Sequence, residues 1–129
     1  SKPIPNQTFK MMRRALPGPF TFILNANSEV PHFFQSKKKT VGIRIPDHPV
    51  PVRIVELLGH PIMTTSIHSE NSIEDYLTDP ELIHEKFRKL VDIVIDSGHC
   101  GNIPSTVIDC TGDEPVVLRE GKGDAEAIF

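Results

Sequence analysis

Residues 97–121 read SGHCGNIPSTVIDCTGDEPVVLREG, and this stretch decides how we interpret the fold. It contains two apolar, β-branched runs, Thr106–Cys110 and Val116–Leu118, on either side of the turn-forming residues Thr111-Gly112-Asp113-Glu114. Two such runs around a short turn predict a β-hairpin.

The open end of this hairpin is a candidate ligand site. If the loop is symmetric, Cys110 faces Pro115 and Thr106 lies opposite Arg119, so that a hydroxyl and a guanidinium project to the same face. Such a pair suits an anion or a phosphorylated ligand. The alternative is an ordinary loop-to-strand transition followed by an arginine in solvent, and a β-bulge would change which residues face each other.

Composition limits the class of protein. The 129 residues are 38% apolar, which is enough for one domain with a core. The net charge of -3 argues against wholesale wrapping of nucleic acid, although a local basic patch could still bind it. Two cysteines and the absence of a long apolar run indicate a reducing, cytoplasmic location without a membrane segment.

Helical and strand-like segments alternate along the chain, which predicts an α/β fold with a mixed sheet. Asn6 is expected to cap a first helix that buries Phe9, Met12 and Leu16. Further helices are predicted at Asp47–Leu58 and from Asp79 to Leu90, with at most one helical turn at Pro31–Gln35. Strands are predicted at Phe20–Ala26, Thr40–Ile45, Pro61–Thr65 and Asp92–Ile95, the last one buried on both faces.

Polar residues interrupt several of these apolar segments. Thr21 begins a strand, where β-propensity alone could explain it. Arg44 needs a partner if it is half-buried, and that partner is Asp47, another carboxylate or a ligand. Thr65-Ser66 ends a predicted strand where a polar loop begins, and Lys37–Lys39 is either a solvated turn or a phosphate-facing rim.

Several familiar chemistries are not indicated. The sequence contains no Walker-type, dinucleotide-binding or serine-hydrolase motif. No pair of histidines or cysteines has metal-ligand spacing, so we expect no structural metal. His99-Cys100 is not expected to act as a catalytic couple, because adjacent residues tend to point apart.

The chain nevertheless resembles the YrdC/YciO family, and in particular its YciO-like branch. Five segments carry the resemblance, in order and over nearly the whole chain: ALPGPFTFIL (15–24), KTVGIRIPDHP (39–49), PIMTTS (61–66), DIVIDSG (92–98) and PSTVIDCTGDEPVVLREG (104–121). The resemblance implies a YrdC/RibB-like fold, a twisted mixed sheet with helices on its faces and a basic cavity.

It also implies a function in tRNA modification. The best-known members make threonylcarbamoyl-adenylate from L-threonine, bicarbonate and ATP, which implies ATP and Mg²⁺ as a substrate complex. The family has also been described as binding nucleotides or double-stranded RNA in the cavity, without chemistry. No side-chain nucleophile is needed for the adenylate-forming reaction.

Individual residues match the motifs of the family. Thr21 matches the threonine of PGP-x-T and is the candidate for the amino-acid end. The expected nucleotide- or phosphate-binding residues are Arg44, Thr65, Ser66, Ser105, Thr106 and Arg119.

The sequence departs from the family at two points. Ser66-Ile67-His68 stands where the synthases have S-x-N, and Asn71 is not an evident substitute. The phosphate-binding K-x-R motif of the N-terminal part is not found. We therefore expect the chain to be the C-terminal portion of a single YrdC-like domain, completed by the N-terminal segment or by a second protomer.

Overall fold

The computed structural model describes residues 3–31, 37–67 and 77–129. The predicted helical turn at Pro31–Gln35 falls almost wholly outside these residues. The chain divides into two compact units. The first, Ser1–Pro61 with Pro104–Phe129, is here called the sheet unit, and the second is the Ile62–Ile103 unit.

A four-stranded mixed sheet forms the centre of the sheet unit. The strands are β1 (Phe20–Asn25), β2 (Thr40–Ile43), β3 (Thr106–Asp109) and β4 (Val116–Arg119). Their order is β2-β1-β3-β4, in which β1 and β3 run parallel and the two outer pairs are antiparallel. The predicted α/β fold with a mixed sheet and a C-terminal hairpin is confirmed.

One face of this sheet carries the core. Alternate residues of β1 are buried, namely Phe20, Phe22 and Leu24, because successive side chains of a strand point to opposite faces. Ile108 of β3 is fully buried beside them, and Ile128 closes the cluster from the C-terminal end.

Helix α1 (Asn6–Ala15) packs against this core through a different stripe from the predicted one. Met11 and Ala15 are buried, Met12 and Leu16 are partly buried, and Phe9 is 51% exposed. The predicted Asn6 cap is wrong, because Pro5 occupies the N-cap position and no side chain among the described residues caps the helix. Asn6 is the first helical residue instead.

Two further helices have side-chain caps. Helix α2 (Pro49–Leu58) begins after His48, whose ring nitrogen Nδ1 accepts a hydrogen bond from the Val50 amide, so the predicted start at Asp47 is too early. Helix α3 (Pro80–Phe87) lies in the Ile62–Ile103 unit and begins as predicted, with the Asp79 carboxylate accepting from the Glu81 amide at 3.0 Å. Leu90 lies beyond its end and is exposed.

Two predicted strands are wrong. Pro61–Thr65 and Asp92–Ile95 have no regular secondary structure, and Ile93 and Ile95 are 77% and 55% exposed rather than buried. A strand needs a neighbour that completes its hydrogen-bond ladder. Within the described residues, neither segment has such a neighbour. A search of these residues also finds no helix long and apolar enough to cross a membrane.

Candidate functional site

The second face of the sheet is polar. Residues that lie opposite each other in a ladder project to the same face. The register pairs Thr21 with Val107, Val107 with Arg119, and Ile23 with both Gly42 and Asp109. We call this side of the sheet the polar face, and its polar or side-chain-free members are Thr21, Asn25, Thr40, Gly42, Asp109 and Arg119. All of them are partly or fully exposed.

Three side chains meet at one end of the polar face. The hydroxyls of Thr21 and Ser105 are 2.7 Å apart, and Arg119 Nη2 donates to Ser105 Oγ at 3.3 Å. The same guanidinium holds the Ser105 carbonyl oxygen through Nε at 3.1 Å and Nη2 at 2.9 Å. We call Thr21, Ser105 and Arg119 the hydroxyl–guanidinium cluster.

The cluster retains donors for an additional group. Arg119 is exposed, and its Nη1 donates to none of the described residues. A guanidinium binds carboxylate and phosphate oxygens strongly through its fixed N–H directions. The half-buried Thr21 hydroxyl can both donate and accept, whereas Ser105 is buried and its hydroxyl links Thr21 to Arg119. The cluster can therefore bind an anionic group and, beside it, a group that donates a hydrogen bond.

A β-bulge places Arg119 in the cluster. The pairs Asp109–Val116 and Ile108–Val117 follow the symmetric loop, but Val107 then faces Arg119 rather than Leu118. The predicted pairing of Thr106 with Arg119 is therefore wrong, because the extra residue in β4 shifts the register by one. The shift moves the guanidinium to the polar face, beside Ser105.

Thr106 points to the other face, where it is fully buried. Its hydroxyl donates to the Gly123 carbonyl oxygen at 2.6 Å and accepts from the Gly121 amide at 3.0 Å. The hydroxyl thus fastens the segment after β4 to the start of β3. Gly121 is required there, because a Cβ at this position would collide with the Pro104 and Ser105 backbone.

Arg44 follows β2 and is exposed rather than half-buried. Its guanidinium forms no ion pair or hydrogen bond with the part of the chain that the structure describes, Asp47 included. Of the partners considered from the sequence, Asp47 is therefore not the one observed. The strand ends too early for Arg44 to be enclosed by it.

Thr65 and Ser66 belong to the Ile62–Ile103 unit, not to the sheet unit. Both are exposed and lie in a segment without regular secondary structure. His68 and Asn71, which bear on the S-x-N comparison, lie outside the described residues. Within the sheet unit, the structure brings together Thr21, Ser105 and Arg119.

A second group of polar residues, at the other end of β3, was not predicted from the sequence. Asp109 Oδ1 accepts from the Thr111 hydroxyl at 2.6 Å and from the Thr111 amide at 2.9 Å. These hydrogen bonds, helped by the charge of Lys38, lower the pKa of the Asp109 carboxyl below its ordinary value of 3.8. Asn25 Nδ2 donates to the Thr111 carbonyl oxygen at 3.2 Å. The Asp-Cys-Thr sequence was the available signal, since aspartate commonly bonds the backbone two residues on.

The fold and the cluster together define an α/β sheet domain with hydrogen-bond donors prepared for an anionic group. The family model described as Sua5_yciO_yrdC, "Telomere recombination", matches residues 1–121, and the chain belongs to this family. The predicted family is thereby confirmed.

Individual relatives agree with this assignment. The uncharacterized protein YciO of Escherichia coli K12 is 43% identical over 124 residues, which are 95% of this chain and 60% of that protein. The threonylcarbamoyl-AMP synthase of Pyrococcus abyssi is 31% identical over 122 residues, or 94% of this chain and 35% of the synthase. The chain thus spans about three fifths of the YciO length.

Solved structures match as well. The crystal structure of E. coli YciO superposes with a TM-score of 0.89 at 41% identity and covers 98% of this chain and 61% of that one. The P. abyssi Sua5 structure complexed with L-threonine gives a TM-score of 0.82 at 32% identity, covering 94% of this chain and 35% of Sua5. The chain is therefore related to threonylcarbamoyl-AMP synthases in both sequence and fold.

Proposed function

We propose that the polypeptide containing this chain binds ATP and L-threonine and forms threonylcarbamoyl-adenylate with release of pyrophosphate, as a step of tRNA modification. The relationship to the threonylcarbamoyl-AMP synthases supports this proposal. The observation that carries it is the hydroxyl–guanidinium cluster, in which Arg119 is joined to Ser105 and Ser105 to Thr21.

The chemistry assigns a role to each member of the cluster. Adenylate formation places negative charge on the α-phosphate and the leaving pyrophosphate, and fixed cationic donors stabilise such charge. Arg119 supplies that donor, Ser105 beside it is a further phosphate contact, and Thr21 orients the amino-acid end. Arg44, Thr65 and Ser66 are proposed as further phosphate contacts. Thr106 acts indirectly, by fastening the segment after β4.

Mg²⁺ is proposed to enter with ATP. This ion keeps several waters and commonly binds through substrate phosphates with only a few carboxylates. When bound, it would neutralise charge on the phosphate oxygens. We also propose a cytoplasmic location, which suits the two free thiols of Cys100 and Cys110.

The test is pyrophosphate release by the complete encoded polypeptide in the presence of ATP, L-threonine and bicarbonate. We expect release to require all three, and Arg119→Ala to lower the rate about a hundredfold, as loss of a charge-stabilising donor commonly does. Arg119→Lys keeps the positive charge but loses the paired N–H donors of the guanidinium, so its rate should lie between those of the alanine variant and the unaltered protein. Arg13→Ala is the matched control, since Arg13 is an exposed arginine on α1. No release above background from the unaltered polypeptide would contradict the synthase proposal.

A non-catalytic binding function of the sheet unit is the second candidate. It is favoured by the exposed Arg44 and by the three exposed lysines Lys37–Lys39, which could meet the phosphates of a nucleotide or of double-stranded RNA. This candidate predicts binding of ATP or RNA that weakens with salt and in Arg44→Ala, without pyrophosphate release. An unchanged affinity in Arg44→Ala would argue against it.

A further inference from the structure

Gly42 occupies an unexpected place for a glycine. It lies inside β2, on the polar face, and pairs with Ile23 of β1. Glycine weakens a strand, because it loses more backbone freedom on folding than other residues and has no side chain to pack. A glycine at this position therefore calls for a physical reason.

The described chain itself does not require it. Gly42 is not among the glycines with positive φ, which are Gly59 and Gly98. A Cβ built at Gly42 would meet only Thr21 Cγ2 among the described atoms, at 3.5 Å, which is an ordinary van der Waals contact. At Gly121, by contrast, a Cβ would overlap the Pro104 carbonyl oxygen.

The space over Gly42 borders the cluster. Its nearest neighbour is Thr21, whose hydroxyl is hydrogen-bonded to Ser105, which in turn holds Arg119. A glycine inside a strand often marks a position that a ligand approaches closely. With backbone conformation and internal packing excluded for the described residues, close approach is the reason that remains.

We infer that Gly42 is a specificity-determining residue, which keeps the polar face clear so that an α-amino acid can reach Thr21 and Arg119. An amino acid carries both an ammonium, which needs an acceptor, and a carboxylate, which needs donors. The Thr21 hydroxyl beside the Arg119 guanidinium offers both. The inference rests on the proposed function, because it deepens the assignment of the amino-acid end to this cluster.

The experiment measures L-threonine affinity and melting temperature in the complete encoded polypeptide, for the unaltered protein, Gly42→Ala and Gly42→Val. We expect the alanine variant to bind L-threonine roughly tenfold more weakly, because one inserted methyl crowds a fitted site, and the valine variant to bind more weakly still. The melting temperature should rise by about 2–4 °C, because the substitutions reduce the freedom of the unfolded chain.

Gly112→Ala is the matched control. Gly112 lies in the hairpin turn, where a Cβ would meet nothing within 4 Å, so this variant should bind L-threonine with unchanged affinity. Equal affinity in Gly42→Val and the unaltered protein would overturn the inference while leaving the proposed function intact. A lower melting temperature in Gly42→Ala would also overturn the inference. It would mean that another part of the protein packs against Gly42, so that the space above it is not open to a ligand. If the unaltered protein does not bind L-threonine, the assignment of the amino-acid end fails, and the inference fails with it.

Discussion

The sheet unit and the Ile62–Ile103 unit differ in how they bury apolar side chains. Every buried residue of the described chain lies in the sheet unit. In the Ile62–Ile103 unit, apolar side chains such as Met63, Leu90 and Ile93 are more than half exposed. Its helix α3 is defined by local features, an aspartate cap and a proline in the first turn.

This difference shows what a strand-like sequence needs in order to become a strand. The apolar runs of β1 and β3 pair with each other and cover a common core. The equally apolar run at Asp92–Ile95 has no such partner in the described residues, and it stays irregular. Hydrophobicity favours burial, but a strand also needs a neighbour for its backbone hydrogen bonds.

The largest expected effect on stability comes from replacing one phenylalanine in each of the two units by alanine. Phe22 is fully buried in the sheet unit, so Phe22→Ala should lower the free energy of unfolding by about 3–5 kcal/mol. Phe87→Ala in α3 removes the same atoms from a half-buried position and should cost about 1 kcal/mol. Urea unfolding of the complete encoded polypeptide measures both. Equal losses would mean that Phe87 is as well packed as Phe22, and the contrast between the units would be lost.

A smaller effect is expected from the buried hydroxyl of Thr106. Thr106→Val keeps the shape but leaves the Gly123 carbonyl and the Gly121 amide without their partner, which should cost about 2 kcal/mol. Thr106→Ser keeps the hydroxyl and serves as the control, with only a methyl group lost. If valine were as stable as threonine, the hydroxyl would have no structural role, and its assignment as a ligand contact would regain support.

Local patterns in the sequence were enough to predict much of the sheet unit. The apolar run at Phe20–Ala26 and the turn between β3 and β4 predicted strands that the structure contains. The predicted buried stripe of α1 differs from the observed one by about one residue, because Phe9 fits helical spacing as well as Met11 does. Spacing gives the period of a buried stripe, but the neighbouring core decides its position around the helix.

The candidate site was predictable only in part. Thr21, Ser105 and Arg119 were selected from the sequence, and the structure brings them together. Their geometry was not predictable, because one bulge in β4 decides whether Arg119 faces Ser105 or Thr106. The role of Gly42 could not be predicted from the sequence, because it depends on the register between β1 and β2.

The smallest expected effect compares the same type of cap in the two units. Asp79 caps α3, and Asp124 caps the short 3₁₀ turn Ala125–Ala127 of the sheet unit by accepting from the Glu126 amide at 3.1 Å. Loss of a cap costs about 1 kcal/mol, so Asp79→Ala should speed amide hydrogen exchange in α3 about fivefold.

The location of the faster exchange tests the comparison. Because α3 has no buried residue in the part of the chain that the structure describes, this opening should stay local and leave exchange in β1 unchanged. Asp124→Ala, by contrast, should loosen the buried Ile128 and its carbonyl contact with Arg14. Faster exchange of β1 amides in Asp79→Ala would show that α3 opens together with the sheet. The Ile62–Ile103 unit would then be a cooperative part of the fold, and its exposed apolar side chains would not indicate low local stability.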